Sequence, residues 1–568
     1  MNIRNWIGTI LIGCVAISGT ASCVKTDASL GFDIVPESEQ FITRTVTIPI
    51  EKVYMGSVDS LSGYSTQRIV IGNITDDTFG TVRHCSAINL VPATDTVKWG
   101  SNTRIKAFHF STKLDSTFCV NPSEKNAIRS ISVHALKDKL DSNVIYASDK
   151  RFYKSNYEGE PVISLGAVTS NGTDSLSFDF SLDFAKTFVP QDVLDGKSYT
   201  EVIDTISKYS AAHTGIFFCA DEAAPGSGRI DFFNVNLESD DSYVVTSGYA
   251  ELKMTADFTS ASGVLRKDVD TSFLFVFGPS SFEQSSTFSA FNSCENSSKD
   301  MEGYAEDKIL VEGGVGLKPM IEALYLRSST LATLKDTLGK YGHNDPEKAF
   351  CNKDVIVNRA TIVLPFEFPA DYTGMDFYPK TLNPTMFISA GGYATYAGLT
   401  DATVSTENQG IIDRSNDCYR PDVSFHMQSI LATPADSTAR LKKENIWMLI
   451  LADETIVTKS QQSSTSAYDQ LAYLNYYNSM LYGGYGGYGY GGYGYGGYGG
   501  YGDYYDNYYS YNMMMSLYNS QASGSTKTVT SMPDKDRYYN AVLCGPKSAT
   551  GRTPYLQLTY SILNLNAQ

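Results

Sequence analysis

Along much of this chain apolar and polar residues alternate one by one. "LSFDFSLDF" puts Leu176, Phe178, Phe180, Leu182 and Phe184 on one side and serines and aspartates on the other. A period of two marks a strand with one wet face. "AELKMTADF" repeats it through Ala250, Leu252, Met254, Ala256 and Phe258, and "YLQLTYSI" through Leu556, Leu558, Tyr560 and Ile562. "TRTVTIPI" and "RIKAFHFST" predict further strands. "TSFLFVFG", "RATIVLPF" and "IWMLILA" are apolar enough to be buried on both faces. Helical spacing is confined to 199–208, part of 321–338, and 468–481.

Many short strands separated by turn residues predict a mainly β protein built of two antiparallel β-sandwich-like domains with few short helices. The length of 568 residues exceeds what one core supports. The expected order is a lipoprotein signal peptide (1–22), a polar tether (23–40), an N-terminal β-rich domain (41–265) and a C-terminal β-rich domain (270–568). "TSASGVLRKDVD" reads as the boundary between the two domains.

One segment breaks the alternation. Residues 482–502 are glycine and tyrosine alone, within a low-complexity insertion at 482–518. Glycine costs backbone entropy and supplies no side chain to bury, so the tract cannot form a core. Strand patterns flank it, which predicts a loop projecting from a strand connection. Tyr482, Tyr485, Tyr488, Tyr490, Tyr493, Tyr495, Tyr498 and Tyr501 each offer an aromatic face and a hydrogen-bonding tip, suited to contacts. A low-complexity loop with no defined ligand is the alternative.

The first residues change the picture of where the chain goes. "MNIRNWIGTILIGCVAISGTASC" has an early Arg4, an apolar run too short to span a bilayer, and a small-residue end. Cys14 in "LIGC" and Cys23 in "TASC" both suit a lipidation signal. Cys23 is preferred, because cleavage there leaves a full apolar run before it and a polar sequence after it. Acyl chains on Cys23 would anchor the protein to a membrane without a transmembrane helix. Beyond Cys23 lie Cys85, Cys119, Cys219, Cys294, Cys351, Cys418 and Cys544, scattered and without a CxxC pair. Buried free thiols are expected. The net charge of −17, with no basic cluster, argues against nucleic acid as a partner.

Motifs of chemistry are missing. The chain has no GxSxG and no HExxH, and its six histidines (His84, His109, His134, His213, His343 and His426) are far apart. His109 and His134 fall in strand patterns and read as hydrogen-bonded sheet residues. The acidic pairs Asp76–Asp77 and Asp240–Asp241 sit in polar, turn-like surroundings and read as turn caps. "EGGVG" lacks the Lys-Ser/Thr ending of a phosphate loop, so it reads as a β-turn or bulge with glycines at positive φ. The G-x-G-x-x-G at Gly489, Gly491 and Gly494 is a product of composition. No catalytic residue, metal ligand or cofactor is expected.

Several stretches resemble a Bacteroidota family of outer-membrane lipoproteins known as a domain of unknown function. They are Asp59-Ser60, Ile71-Gly72, Asp77 with Phe79-Gly80, "ISVHALKDKLDSNVIYAS", "ILVEGGVGLKPMI", "VIVNRATIVLP" and "TPYLQLTYSI". The resemblance implies an all-β architecture and an outer-membrane location, on either the periplasmic or the cell-surface face. It carries no catalytic residues. Asp-Ser/Thr followed by an aliphatic residue or threonine resembles the acceptor motif of Bacteroidota O-glycosylation. That marks Ser60, Thr96, Ser116, Ser175, Thr337 and Ser437, with Thr205 the least suited because it lies in a helical pattern. In an acidic chain rich in serine and threonine, chance produces the same tripeptides. The expected function is a non-catalytic outer-membrane lipoprotein, a binding or accessory subunit of an envelope complex with a protein partner or a glycan. A glycan-binding surface lipoprotein, with exposed tyrosines or Trp99 stacking on sugars, is the alternative, and an envelope glycoside hydrolase stands behind both.

Overall fold

The computed structural model describes residues 40–65, 68–92, 96–137, 146–149, 162–163, 167–170, 175–202, 213–235, 238–239, 245–259, 263, 265–278, 290–369, 372–390, 393–401, 410–458 and 526–567. Residues 1–39 lie outside these residues, and with them the expected signal peptide, Cys14, Cys23 and all of the expected tether but its last residue. So do Asp240–Asp241, the helix expected at 468–481 and the whole Gly/Tyr insertion. The protein is mostly β, sandwich-like, with several antiparallel sheets and few short helices. No helix among the described residues is long and apolar enough to cross a membrane.

Alternation becomes strand wherever it is long. Tyr249–Thr259 buries Ala250, Leu252, Met254 and Ala256, and Tyr555–Leu563 buries Leu556, Leu558, Tyr560 and Ile562. Two of the three strands expected to be covered on both faces are so: Val355–Pro365 from Ala360 onward, and the first half of Ile446–Thr458. Leu265–Gly278 is not, since Ser272 is exposed and only Phe275 and Phe277 are deeply buried.

Chain order and sheet order diverge. The first strand, Phe41–Pro49, pairs over its full length with the last, Tyr555–Leu563, from Phe41↔Leu563 to Pro49↔Tyr555. Val355–Pro365 lies on the other side of the last strand in this five-stranded sheet. A seven-stranded sheet begins Gly303–Tyr304, Tyr54–Ser57, Leu317–Ile321 and Ile446–Thr458. It continues through Thr381–Ala390 to Tyr393–Gly398, and Thr526–Pro533 pairs with Ile446–Thr458. One core joins the two sheets: Ile48, Leu558 and Ile362 from the first, Ile446, Met448 and Leu382 from the second. Helices Ala323–Gly339 and Ser424–Ala432 add Leu326, Leu334, Met427 and Ile430 to it.

Between Ser57 and Gly303 the chain makes a separate fourteen-stranded sheet, from Tyr64–Ser65 to Ala290–Asn296. Its core is rich in phenylalanine, with Phe110 stacked 5.1 Å from Phe277 and 4.8 Å from Phe178. Sheet membership therefore does not follow the expected division at 265–270. "TSASGVLRKDVD" runs from the end of Tyr249–Thr259 into Leu265–Gly278, two strands that pair antiparallel inside one sheet. Residues 41–57, assigned by sequence to the first domain, pair with strands of the second.

Two local expectations change. Tyr199–Val202, read as the start of a helix, is a strand paired with Thr96–Gly100, where β-favouring Tyr199, Thr200 and Val202 find an edge. "LSFDFSLDF" is strand only over Leu176–Asp179. Ser181 then caps helix Leu182–Lys186, its hydroxyl accepting the Phe184 N–H at 3.2 Å.

Candidate functional site

Two places gather side chains from distant parts of the chain. One is the seam where region 64–296 meets the remainder. Arg68 opens strand Arg68–Asp76, whose Ile69, Val70 and Ile71 are fully buried. Its guanidinium reaches Asp536, the third of four successive charges, Asp534-Lys535-Asp536-Arg537. Nη2 donates to Asp536 Oδ1 at 2.7 Å and Nε to Oδ2 at 3.2 Å, while Nη2 also pairs with Glu454. This is the bidentate geometry that suits arginine. Burial alone would raise the Asp536 carboxyl, but the charge and hydrogen bonds of Arg68 outweigh it and hold it below its usual value. Lys535 Nζ bonds the Tyr64 carbonyl, and burial lowers its pKa. Asn292 closes the network, its Nδ2 donating to the Arg68 carbonyl at 3.1 Å and to Asp536 Oδ2 at 3.4 Å.

The Gly-rich turn sits at the other end of this seam, between strands Lys308–Glu312 and Leu317–Ile321. It is the expected turn: Gly316 N–H bonds Gly313 O at 3.1 Å, and Gly314 takes φ +54°. Its amides are committed within the protein. Gly313 N–H goes to Tyr539 O (2.7 Å), Gly314 N–H to Asp534 Oδ2 (2.8 Å) and Leu317 N–H to Glu312 Oε2 (3.0 Å). Two carboxylates thus stand where a phosphate loop would hold its anion. Lys318 Nζ turns inward onto the Gly314 and Gly316 carbonyls, both at 3.1 Å. Burial pushes Asp534 up to about 6, raises Glu312 and lowers Lys318 to about 8.

A cysteine–histidine pair lies in the same seam. Cys294 and His84 are cross-strand partners, with Sγ 3.5 Å from Nε2, and Cys294 Sγ donates to Asn296 Oδ1 at 3.2 Å. Burial lowers His84 to about 4 and raises the thiol well above its ordinary range. Both partners are therefore neutral at pH 7, and a thiolate–imidazolium nucleophile does not form. His84 Nδ1 has no hydrogen-bond partner among the described residues.

The second place is the side of the seven-stranded sheet opposite that core, part of which is itself packed, Tyr396, Leu449 and Trp447 clustering with Val58 and Leu61. Tyr304, Tyr54, Met320, Trp447 and Thr385 are paired in one register row across five strands, so their side chains share a face. Tyr54 and Tyr304 meet edge to face at 5.5 Å, Tyr396 and Trp447 at 5.6 Å, and Phe387 lies 5.1 Å from Tyr396. Carboxylates flank the rings: Glu302 accepts from the Ser57 N–H at 3.0 Å, and Glu322 accepts the Tyr304 hydroxyl at 2.9 Å. Burial raises the Tyr396 hydroxyl, and the charges of Asp59 and Glu302 add to that.

Residues singled out by sequence lie as follows. Trp99 is only 1% exposed and packs 4.8 Å from Phe273, so it cannot stack on a sugar; its strand faces the core. Cys85 and Cys219 are direct cross-strand neighbours and form a disulfide, with Cα atoms 4.7 Å apart, which corrects the expectation of free thiols for this pair. Cys119, Cys294, Cys351, Cys418 and Cys544 are free. His109 bonds Asp179 at 2.7 Å and Ser177 at 3.1 Å as a sheet residue, and Asp76 caps a hairpin turn through the Thr78 and Phe79 amides. Of the glycan acceptor positions, Ser116 and Ser175 are exposed, and Ser60, Thr337 and Ser437 are half-buried. The hydroxyls of Ser60, Ser116 and Ser437 each donate to the preceding aspartate at 3.3 Å. Thr96 begins strand Thr96–Thr112, and Thr205 lies outside the described residues.

Sequence reasoning missed Arg68, Glu454 and 534–537. The signal was there: "PDKDR" follows a strand and precedes "YYN", an unusual run of charges between apolar neighbours. Among the described residues no group of three or more His, Cys, Asp or Glu is arranged to hold a metal ion. No family model matches the chain, no curated protein matches it, and no solved structure matches it.

Proposed function

We propose that the chain is a non-catalytic lipoprotein of the outer membrane, anchored through Cys23, that serves as a binding subunit of an envelope complex. The observation that carries this reading is where the ionisable groups go. Arg68, Asp536, Glu454, Glu312, Lys318 and Asp534 are drawn into a seam and bonded to one another or to backbone. The seam spends its chemistry on joining two β-structures. On its other side the sheet carries a row of aromatic residues, Tyr304 exposed and Tyr54 and Trp447 half-buried, with carboxylates beside them.

Export is supported by the Cys85–Cys219 disulfide, a bond that persists outside the reducing cytoplasm. The small-residue end of the leader supports Cys23 as the acylated residue. The test is membrane fractionation combined with activity assays on the full-length protein. Cys23→Ser releases the protein to the soluble fraction and Cys14→Ser does not, and no glycan or peptide in a broad panel is turned over. Retention of both variants contradicts the anchor. Turnover abolished by a single carboxylate substitution, Asp59→Asn or Glu302→Gln, contradicts the non-catalytic reading.

A further inference from the structure

We infer that the outward face of the seven-stranded sheet, around Tyr304, Tyr54, Trp447 and Phe387, is a platform for an uncharged polysaccharide chain. This names the ligand class of the binding reading above and rests on it. Strand register places the rings together. Tyr304↔Tyr54, Tyr54↔Met320, Met320↔Trp447 and Trp447↔Thr385 are successive partners, and Phe387 is two residues beyond Thr385 on the same face. At a strand spacing of about 4.8 Å the three steps from Tyr304 to Trp447 span roughly 14 Å, enough for two or three sugar units. Met320 is buried between the rings; beyond Trp447, Thr385 and Tyr396 are buried and Phe387 is exposed again. The opposite face, with Ile446, Met448, Leu382 and Met386, is core.

The rings are held before any ligand arrives. Trp447 lies over Gly56, where a Cβ would stand 2.8 Å from the indole and 3.1 Å from the Tyr54 ring. Only glycine allows that approach. The hydroxyl of Tyr304, a residue 55% exposed, is fixed by Glu322. Two donors are left over: the Tyr54 hydroxyl and the Trp447 indole N–H make no hydrogen bond among the described residues, and both residues are half-buried. Glu302 is exposed and uses one carboxylate oxygen on Ser57, leaving the other for a ligand hydroxyl.

Rings, free donors and a carboxylate acceptor in one row match a sugar chain, whose C–H faces stack on aromatics while its hydroxyls both give and accept hydrogen bonds. Charge excludes the anionic alternatives. The protein carries a net charge of −17, and Glu302, Glu322 and Asp59 stand beside the rings, so a polyanion would be repelled.

Affinity electrophoresis of the full-length protein in detergent tests this, through gels containing β-glucan, mannan or polygalacturonate. At least one neutral polysaccharide slows the protein and polygalacturonate does not. Tyr304→Ala and Phe387→Ala each weaken retention tenfold or more with the thermal midpoint unchanged, and Tyr54→Phe weakens it by a smaller factor. No retention by either neutral polymer, retention only by polygalacturonate, or retention unchanged by Tyr304→Ala overturns the inference. If neutral polymers fail while the wild-type protein still copurifies with an envelope protein, the ligand class is wrong and the binding reading stands. If Tyr304→Ala abolishes that copurification as well, the face is a protein interface and the inference is likewise overturned.

Discussion

Arg68 and Asp536 are 468 positions apart in the chain, yet Nη2 of one lies 2.7 Å from Oδ1 of the other, both inside the protein. With Glu454 they form a buried triad that ties strand Arg68–Asp76 to the turn after Thr526–Pro533. Removing only Arg68 leaves Asp536 buried without its bidentate partner and Glu454 with Arg537 alone, at 3.6 Å. Arg68→Met is expected to lower stability by about 3–5 kcal/mol, measured by chemical denaturation. Adding Asp536→Leu and Glu454→Leu is expected to restore only part of that loss, because buried Lys535 and Arg537 then lose the carboxylates beside them.

The seam also carries two groups whose pH effects oppose each other. His84 is lowered to about 4, so between about 6.5 and 4 the unfolded chain takes up a proton that the folded one does not. Stability due to His84 is thus lost as pH falls through that window. Asp534 is raised to about 6, so between about 6 and 4 the folded chain takes up the proton first, and stability is gained as pH falls. Each shift is worth about 3 kcal/mol at 1.36 kcal/mol per unit. The two nearly cancel in the native protein. Asp534→Asn is expected to lose stability steeply from pH 6 to 4.5 and His84→Gln to gain it, read from thermal midpoints in a pH series. Equal slopes in both variants would contradict the assignment.

Strand-forming segments were legible because alternation is a local property. Tyr249–Thr259 and Tyr555–Leu563 could be read from nine to eleven residues each. Pairing was not legible, because nothing in Phe41–Pro49 says that its partner is the last strand of the chain. The connection between Tyr249–Thr259 and Leu265–Gly278 reads as a domain linker for the same reason: the residue types that join paired strands are those that join domains. Trp99 gave no local sign of burial, since its surroundings are Phe273 and residues from other strands. The aromatic face was invisible because Tyr54, Trp447 and Tyr304 come from three separate segments.

Cys85 and Cys219 are separated by 134 residues and became neighbours only through the register Cys219↔Cys85. Non-reducing peptide mapping of the full-length protein is expected to recover a Cys85–Cys219 linked pair, with Cys119, Cys294, Cys351, Cys418 and Cys544 alkylatable after unfolding. Replacing both partners by alanine is expected to cost about 3–5 kcal/mol, the usual range for closing a long loop.

Strands Ile446–Thr458 and Thr526–Pro533 bring Thr458 and Thr526 together as direct partners. The intervening 459–525 can therefore be replaced by an Asn-Gly turn without stretching either strand. Thermal unfolding is expected to shift by only a few degrees, since loop closure entropy changes with the logarithm of length. A loss of stability above about 3 kcal/mol would mean that the Gly/Tyr insertion packs into the sheets.

The central claim is that this chain works by holding a partner in the envelope. Its most direct measurement is the mass and composition of the full-length protein after mild solubilisation of the outer membrane, by sedimentation followed by mass spectrometry. The account predicts a discrete assembly in which a second envelope component is present in fixed stoichiometry and survives salt, with the Arg68→Met variant reduced in amount and not in composition. A monomer that sediments alone, with no component in fixed ratio, would contradict it.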